Sequence, residues 1–177
     1  MKSIATSVMT RLEALVFGSF RDLPIHALVV HASVILIPIA ALLAIALLRP
    51  AWRMVLRWPL VAAIGLSVVL AFISRASGTV LKENLEGQTK GTVVGEAIEH
   101  HQELADRLWI FLLVFLVVSV IAALLLPRLN NPIAGGIVAF IVAAIAVVVI
   151  VLAIQTGEAG TKAVWNPDGS IDYSGGQ

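Results

Sequence analysis

From position 25 to 48 the chain carries no Asp, Glu, Lys or Arg. A helix crosses the hydrocarbon layer with roughly 20 apolar residues at about 1.5 Å each, so this run is long enough to span a bilayer. Three further apolar runs follow, over 60–74, 108–126 and 133–154. The first two are separated by a short basic stretch holding Arg49, Pro50, Trp52, Arg53, Arg57, Trp58 and Pro59. The last two are separated by Pro127, Arg128, Asn130, Asn131 and Pro132. Two tight turns joining four spans predict an all-α, up-down-up-down transmembrane bundle. Pro24 suits the first turn of the opening helix, and Pro38 should bend its interior.

Residues 75–107 read as the only long connection, polar and helical in its second half. Gly78 reads there as a helix C-terminal cap. Val93, Val94, Ala97, Ile98, His101, Leu104, Ala105 and Leu108 recur on one 3.6-residue stripe, while Glu96, His100, Glu103 and Arg107 fall on another. The phase therefore turns His101 toward the apolar side and His100 toward water. Ahead of the first span, Ile4, Val8, Leu12, Leu15 and Val16 are spaced as an amphipathic interfacial helix. Arg11 and Glu13 interrupt it too early for a signal peptide. The organisation expected is an interfacial segment over 1–22, a four-span membrane domain over 23–165 and a polar tail over 166–177, with a turn at Asn166, Pro167, Asp168 and Gly169.

Composition agrees with the pattern. Hydrophobic residues are 59% and charged residues 13% of the chain, which excludes an ordinary soluble domain. A net charge of +1 gives no reason to expect nucleic acid, and the absence of cysteine removes disulfides, thiolate ligands and thiol nucleophiles. The partner the sequence demands is the lipid bilayer, with other membrane or redox subunits as the further possibility. The two short turns carry Arg49, Arg53, Arg57 and Arg128 and no acid, whereas all eleven carboxylates lie at the other side. Basic short loops favour the cytoplasm. This places the termini and the long connection outside the cytoplasm, on the periplasmic side if the membrane is a bacterial inner membrane.

By parity of the spans, His26, His31, His101 and Glu158 share one membrane face. Neutral imidazole ligates zinc, copper and haem iron. Three histidines and a carboxylate could close a divalent metal site, and two histidines on different helices could hold a haem b. His26 and His31 are five apart, about 140° around a helix, so both cannot point straight at one small ion. An ionisable ring inside a span is a functional hypothesis by default. His31 is thus expected to point into the bundle, with His101 or a bound cofactor as its nearest polar partner and His26 assisting. Three readings follow: electron transfer through such a centre, a proton relay or transport module using His31, His101 and Glu158, and a structural or assembly subunit. No phosphate loop, nucleophile elbow or zinc-protease pair argues for an enzyme. Lys162 is a plausible ion-pair partner for Glu158, and Gly135 with Gly136 reads as a site of close helix packing. The two halves also rhyme: each has a histidine near the start of its first helix and a Ser/Thr-Gly pair just after its second.

Leu23-Pro24-x-His26-x-x-x-Val30-His31 followed by a Pro38-containing apolar run resembles an uncharacterised bacterial family of predicted four-helix membrane proteins, domain of unknown function 2231. Glu99-His100-His101-Gln102-Glu103-Leu104-Ala105 is similar to that family's segment before its third helix. The stretch from Thr156 through Gly157, Glu158, Ala159 and Gly160 to Val164 and Trp165 is similar to its closing segment. Ala27 stands where the family often has a second proline, and Glu158 where it has a closing histidine. The resemblance implies the fold and the membrane location, carries the pre-helix histidine onto His101, and implies no particular activity.

Overall fold

The computed structural model describes residues 19–20 and 23–171. The proposed interfacial helix over 1–22 falls almost wholly outside the described residues. At the entry to the bundle, β1 (Ser19–Phe20) and β2 (Leu23–Pro24) form a two-rung antiparallel ladder, Ser19 facing Pro24 and Phe20 facing Leu23. Four helices follow: α1 (Ile25–Ala46), α2 (Pro50–Thr89), α3 (Val93–Leu125) and α4 (Pro132–Trp165). A single 3-10 turn, Leu126–Arg128, continues α3. Pro24 precedes α1 rather than opening it, and Pro38 lies inside a continuous helix.

Local chemistry sets the remaining boundaries. Pro50 and Pro132 occupy first-turn positions of α2 and α4, where a missing N–H costs nothing. Asn131 caps α4 by accepting from the Ile133 N–H at 2.8 Å, and the Thr92 hydroxyl caps α3 by accepting from the Gly95 N–H at 3.3 Å.

The long connection expected over 75–107 is instead a helical hairpin. α2 runs through to Thr89, and the chain reverses at Lys90, Gly91 and Thr92, with Gly91 supplying the positive φ of 74°. Gly78 is therefore mid-helix and caps nothing. The polar residues that resembled a loop are absorbed by back-bonding. The Ser77 hydroxyl donates to the Ile73 carbonyl at 2.8 Å, Thr79 to Arg75 at 3.1 Å and Thr89 to Leu85 at 3.0 Å.

α1 packs against α2 and α4, and α3 packs against the same two, so the helices stand in chain order around a four-cornered bundle. Small residues line the contacts: Ala40, Ala41 and Ala44 of α1, Ala122 of α3, and Ala139 and Ala146 of α4 are buried beside Leu60, Ile64, Leu112, Phe115, Val142 and Val149. The bulky apolar residues include many that point outward: Leu42 is 64% exposed, Val55 70% and Phe140 66%. Alanine-rich helix contacts with many large apolar side chains turned outward are the arrangement of a protein dissolved in lipid.

α1, with 22 residues, matches the hydrocarbon thickness at about 33 Å, whereas α2, with 40 residues, reaches about 60 Å. The surplus lies at one end only, because the short turns tie the opposite ends of α1 to α2 and of α3 to α4. The outer ends of α2 and α3 thus extend beyond the start of α1 as a helical pair. An Arg75–Asp106 ion pair at 2.6 Å and a Lys82–Gln102 bond at 2.9 Å join them. At the turn end, the Arg53 guanidinium donates to Leu47 O at 3.1 Å, Leu48 O at 3.4 Å and Pro132 O at 3.5 Å. This joins the unpaired C-terminal carbonyls of α1 to the first turn of α4. A Cβ at Gly135 would stand 2.9 Å from Arg53 Nη1, so Gly135 makes room for an arginine.

Candidate functional site: a pair of carbonyl-anchored imidazoles

His26 lies in the first turn of α1, level with Ser74 near the outer limit of the uncharged part of α2. Its Nδ1–H donates to the Ser74 carbonyl at 2.9 Å. His101 of α3 repeats the contact, its Nδ1–H donating to the Thr156 carbonyl of α4 at 2.9 Å. A helical carbonyl points along its axis toward the residue four positions on, and here that residue is glycine both times, Gly78 and Gly160. A Cβ at Gly78 would stand 3.1 Å from His26 Nδ1, and one at Gly160 would stand 2.9 Å from His101 Cε1 and 3.1 Å from its Nδ1. Each imidazole is thus seated where a missing side chain opens the way to a backbone oxygen.

The two rings meet across the bundle from non-neighbouring helices, with centroids 6.3 Å apart and planes at 84°. Their tautomers follow from the hydrogen bonds. A carbonyl oxygen only accepts, so each Nδ1 carries the proton, and in the neutral ring the lone pair resides on Nε2. The site therefore presents two basic nitrogens held by rigid backbone partners. Metal-binding histidines are oriented in the same way, with the non-ligating N–H donated to a carbonyl or carboxylate.

The other residues singled out from the sequence do not join the pair. His31 is exposed on the outer face of α1, and its Nδ1–H donates to Ala27 O of its own helix. The expectation that it points inward toward His101 is overturned by the angular step of about 140° between positions five apart: once His26 turns in, His31 turns out. Glu158 is exposed and forms an ion pair with Lys162 at 2.7 Å. The four-ligand metal site of His26, His31, His101 and Glu158 is accordingly not assembled. Among the described residues no group of three or more His, Cys, Asp or Glu side chains is placed to hold an ion. His100 is exposed while His101 is half-buried, as the helical phase of 93–108 requires.

The sequence reading missed the two carbonyl anchors and misassigned Gly78. The available signal was a hydroxyl residue four positions before a glycine, Ser74 to Gly78 and Thr156 to Gly160, once in each half. The rhyme between the halves is a structural one, but its partners are these pairs and not Ser77-Gly78 with Thr156-Gly157.

Four helices long and apolar enough to cross a membrane, wrapped around a small-residue core, define a multi-pass membrane protein. The chain belongs to the family of predicted membrane proteins described as DUF2231, whose model matches residues 22–171. No curated protein and no solved structure matches it.

Proposed function

We propose that this membrane protein binds a transition-metal ion through the Nε2 atoms of His26 and His101 at the end of the bundle from which α2 and α3 project. The observation that carries this reading is the duplicated anchoring: both rings are fixed through Nδ1, which leaves both Nε2 lone pairs free on imidazoles whose centroids stand 6.3 Å apart. A purely structural histidine needs one such bond; two neighbouring rings with matched tautomers offer a pair of ligands. The 6.3 Å between the ring centroids fits a linear N–metal–N unit, whether the metal is a single ion or a haem iron.

The transport reading receives less support. Ile64, Leu112, Phe115 and Val149 fill the core between the histidine and arginine ends and leave the pair as a local site. The arginine turns favour an orientation with the histidines on the outer side of a bacterial inner membrane. Metal analysis and a visible spectrum of the detergent-purified protein test the reading. Near-stoichiometric metal that is lost in both His26→Ala and His101→Ala is expected. A Soret band would replace the ion by haem. A protein that takes up neither when supplied with each would leave the structural role.

A further inference from the structure

We propose that the ion is monovalent copper, held in a two-coordinate, near-linear site between His26 and His101; this rests on the metal-binding reading above. Three observations converge on that choice. First, the ring centroids are 6.3 Å apart. Two metal–nitrogen bonds of about 2 Å in a straight line, extended by the half-width of each ring, put the centroids roughly 6 Å apart, whereas bending the bridge to a tetrahedral angle draws them to about 5 Å.

Second, the donor set is two neutral nitrogens and nothing more. Glu158 is committed to Lys162, the chain has no cysteine, and no third His, Asp or Glu side chain joins the pair among the described residues. A divalent ion such as zinc is almost always held by four ligands in structural sites, commonly with anionic donors. A d10 monovalent ion is satisfied by two, and imidazole is among the ligands that suit copper. Third, the rings are held before any ion arrives. Each Nδ1–H is bonded to a carbonyl and each ring rests against a glycine, so ion capture orders the two rings little further.

Uptake forms two copper–nitrogen bonds in exchange for the solvent ligands of the ion. It changes no oxidation state and releases no proton, because Nε2 of the neutral ring is already unprotonated.

The test is anaerobic titration of the full chain in detergent with cuprous ion, against a chromogenic cuprous chelator, with zinc titrated in parallel. One cuprous ion per chain is expected, with an X-ray absorption edge characteristic of two-coordinate copper(I). His26→Ala and His101→Ala should each weaken binding by more than the roughly 10–100-fold that loss of an outer-shell partner costs. His100→Ala and His31→Ala should leave it unchanged. Should His26→Ala or His101→Ala fail to fold by circular dichroism, Gly160→Ala, which displaces the His101 ring, provides the same readout. Zinc binding without cuprous binding, or a three- or four-coordinate edge, overturns the copper assignment and leaves the metal-binding reading standing. Binding of neither ion overturns both.

Discussion

His26 and His101 reach each other across the bundle from α1 and α3, each tied by its Nδ1–H to the carbonyl of the helix next in sequence, Ser74 on α2 and Thr156 on α4. One contact closes the first helical hairpin and the other closes the second. Their convergence joins the two hairpins where the helices leave the apolar layer. Any ligand at the two Nε2 atoms would therefore couple all four helices at once.

The glycine seats give the first prediction. Gly78→Ala and Gly160→Ala place a methyl group against an imidazole and should destabilise the protein by roughly 1–3 kcal/mol. Gly87→Ala and Gly157→Ala, whose new methyl meets nothing within 4 Å, should be neutral or stabilise by about 0.5–1 kcal/mol. Thermal unfolding in detergent separates the two pairs. Equal effects in all four would mean that the rings do not rest on Gly78 and Gly160.

The histidines should divide by orientation. His101→Leu removes a ring hydrogen-bonded between helices and should lower the melting temperature, whereas His100→Leu should not. His31→Leu replaces an outward polar ring with a lipid-compatible side chain and is expected to be neutral or stabilising. A large loss from His31→Leu would place that ring inside the bundle, contrary to the structure.

Arg53 links the α1 terminus to α4 through three carbonyls. Arg53→Ala should cost roughly 1–3 kcal/mol, the range for hydrogen bonds involving a charged group. Arg53→Lys should recover little, because a single ammonium cannot span carbonyls that the planar fork reaches together. Full rescue by lysine would show that only the charge matters.

Opposite ends of the bundle should label from opposite sides of the membrane. Lys90→Cys sits in the exposed turn between α2 and α3, and Asn130→Cys in the exposed turn between α3 and α4. With an impermeant thiol reagent on intact cells, position 90 should react and position 130 should not. The reverse pattern would invert the orientation, and labelling of both from one side would contradict the four-span fold.

In the tail, the backbone N–H and the hydroxyl of Ser170 both donate to Asp168 and hold its carboxyl below the usual carboxylate range. The sign follows directly. A depressed pKa stabilises the turn above the ordinary Asp pKa, and that contribution is lost as pH falls through the lowered value. A carboxyl chemical-shift titration should place Asp168 below a free aspartate, and Ser170→Ala should move it back up.

The four spans, the two arginine turns and the opposite faces of His100 and His101 were legible in the order of residues, because a bilayer imposes long uncharged runs and a helix imposes a 3.6-residue phase. The angle between His26 and His31 was also legible, but not which of the two turned inward. That depended on how deep α1 begins relative to α2 and α3, and on a carbonyl of α2 left open by Gly78. The continuation of α2 to Thr89 was hidden as well, because serines and threonines that bond to their own helix look the same in sequence as those of a loop. Backbone acceptors have no letter in the sequence, and a glycine that admits an imidazole is written like one that ends a helix. Those two facts are why His26 and His101 stood in advance only as two members of a larger set of candidates, while their pairing and their carbonyl anchors were decided only when the four helices packed.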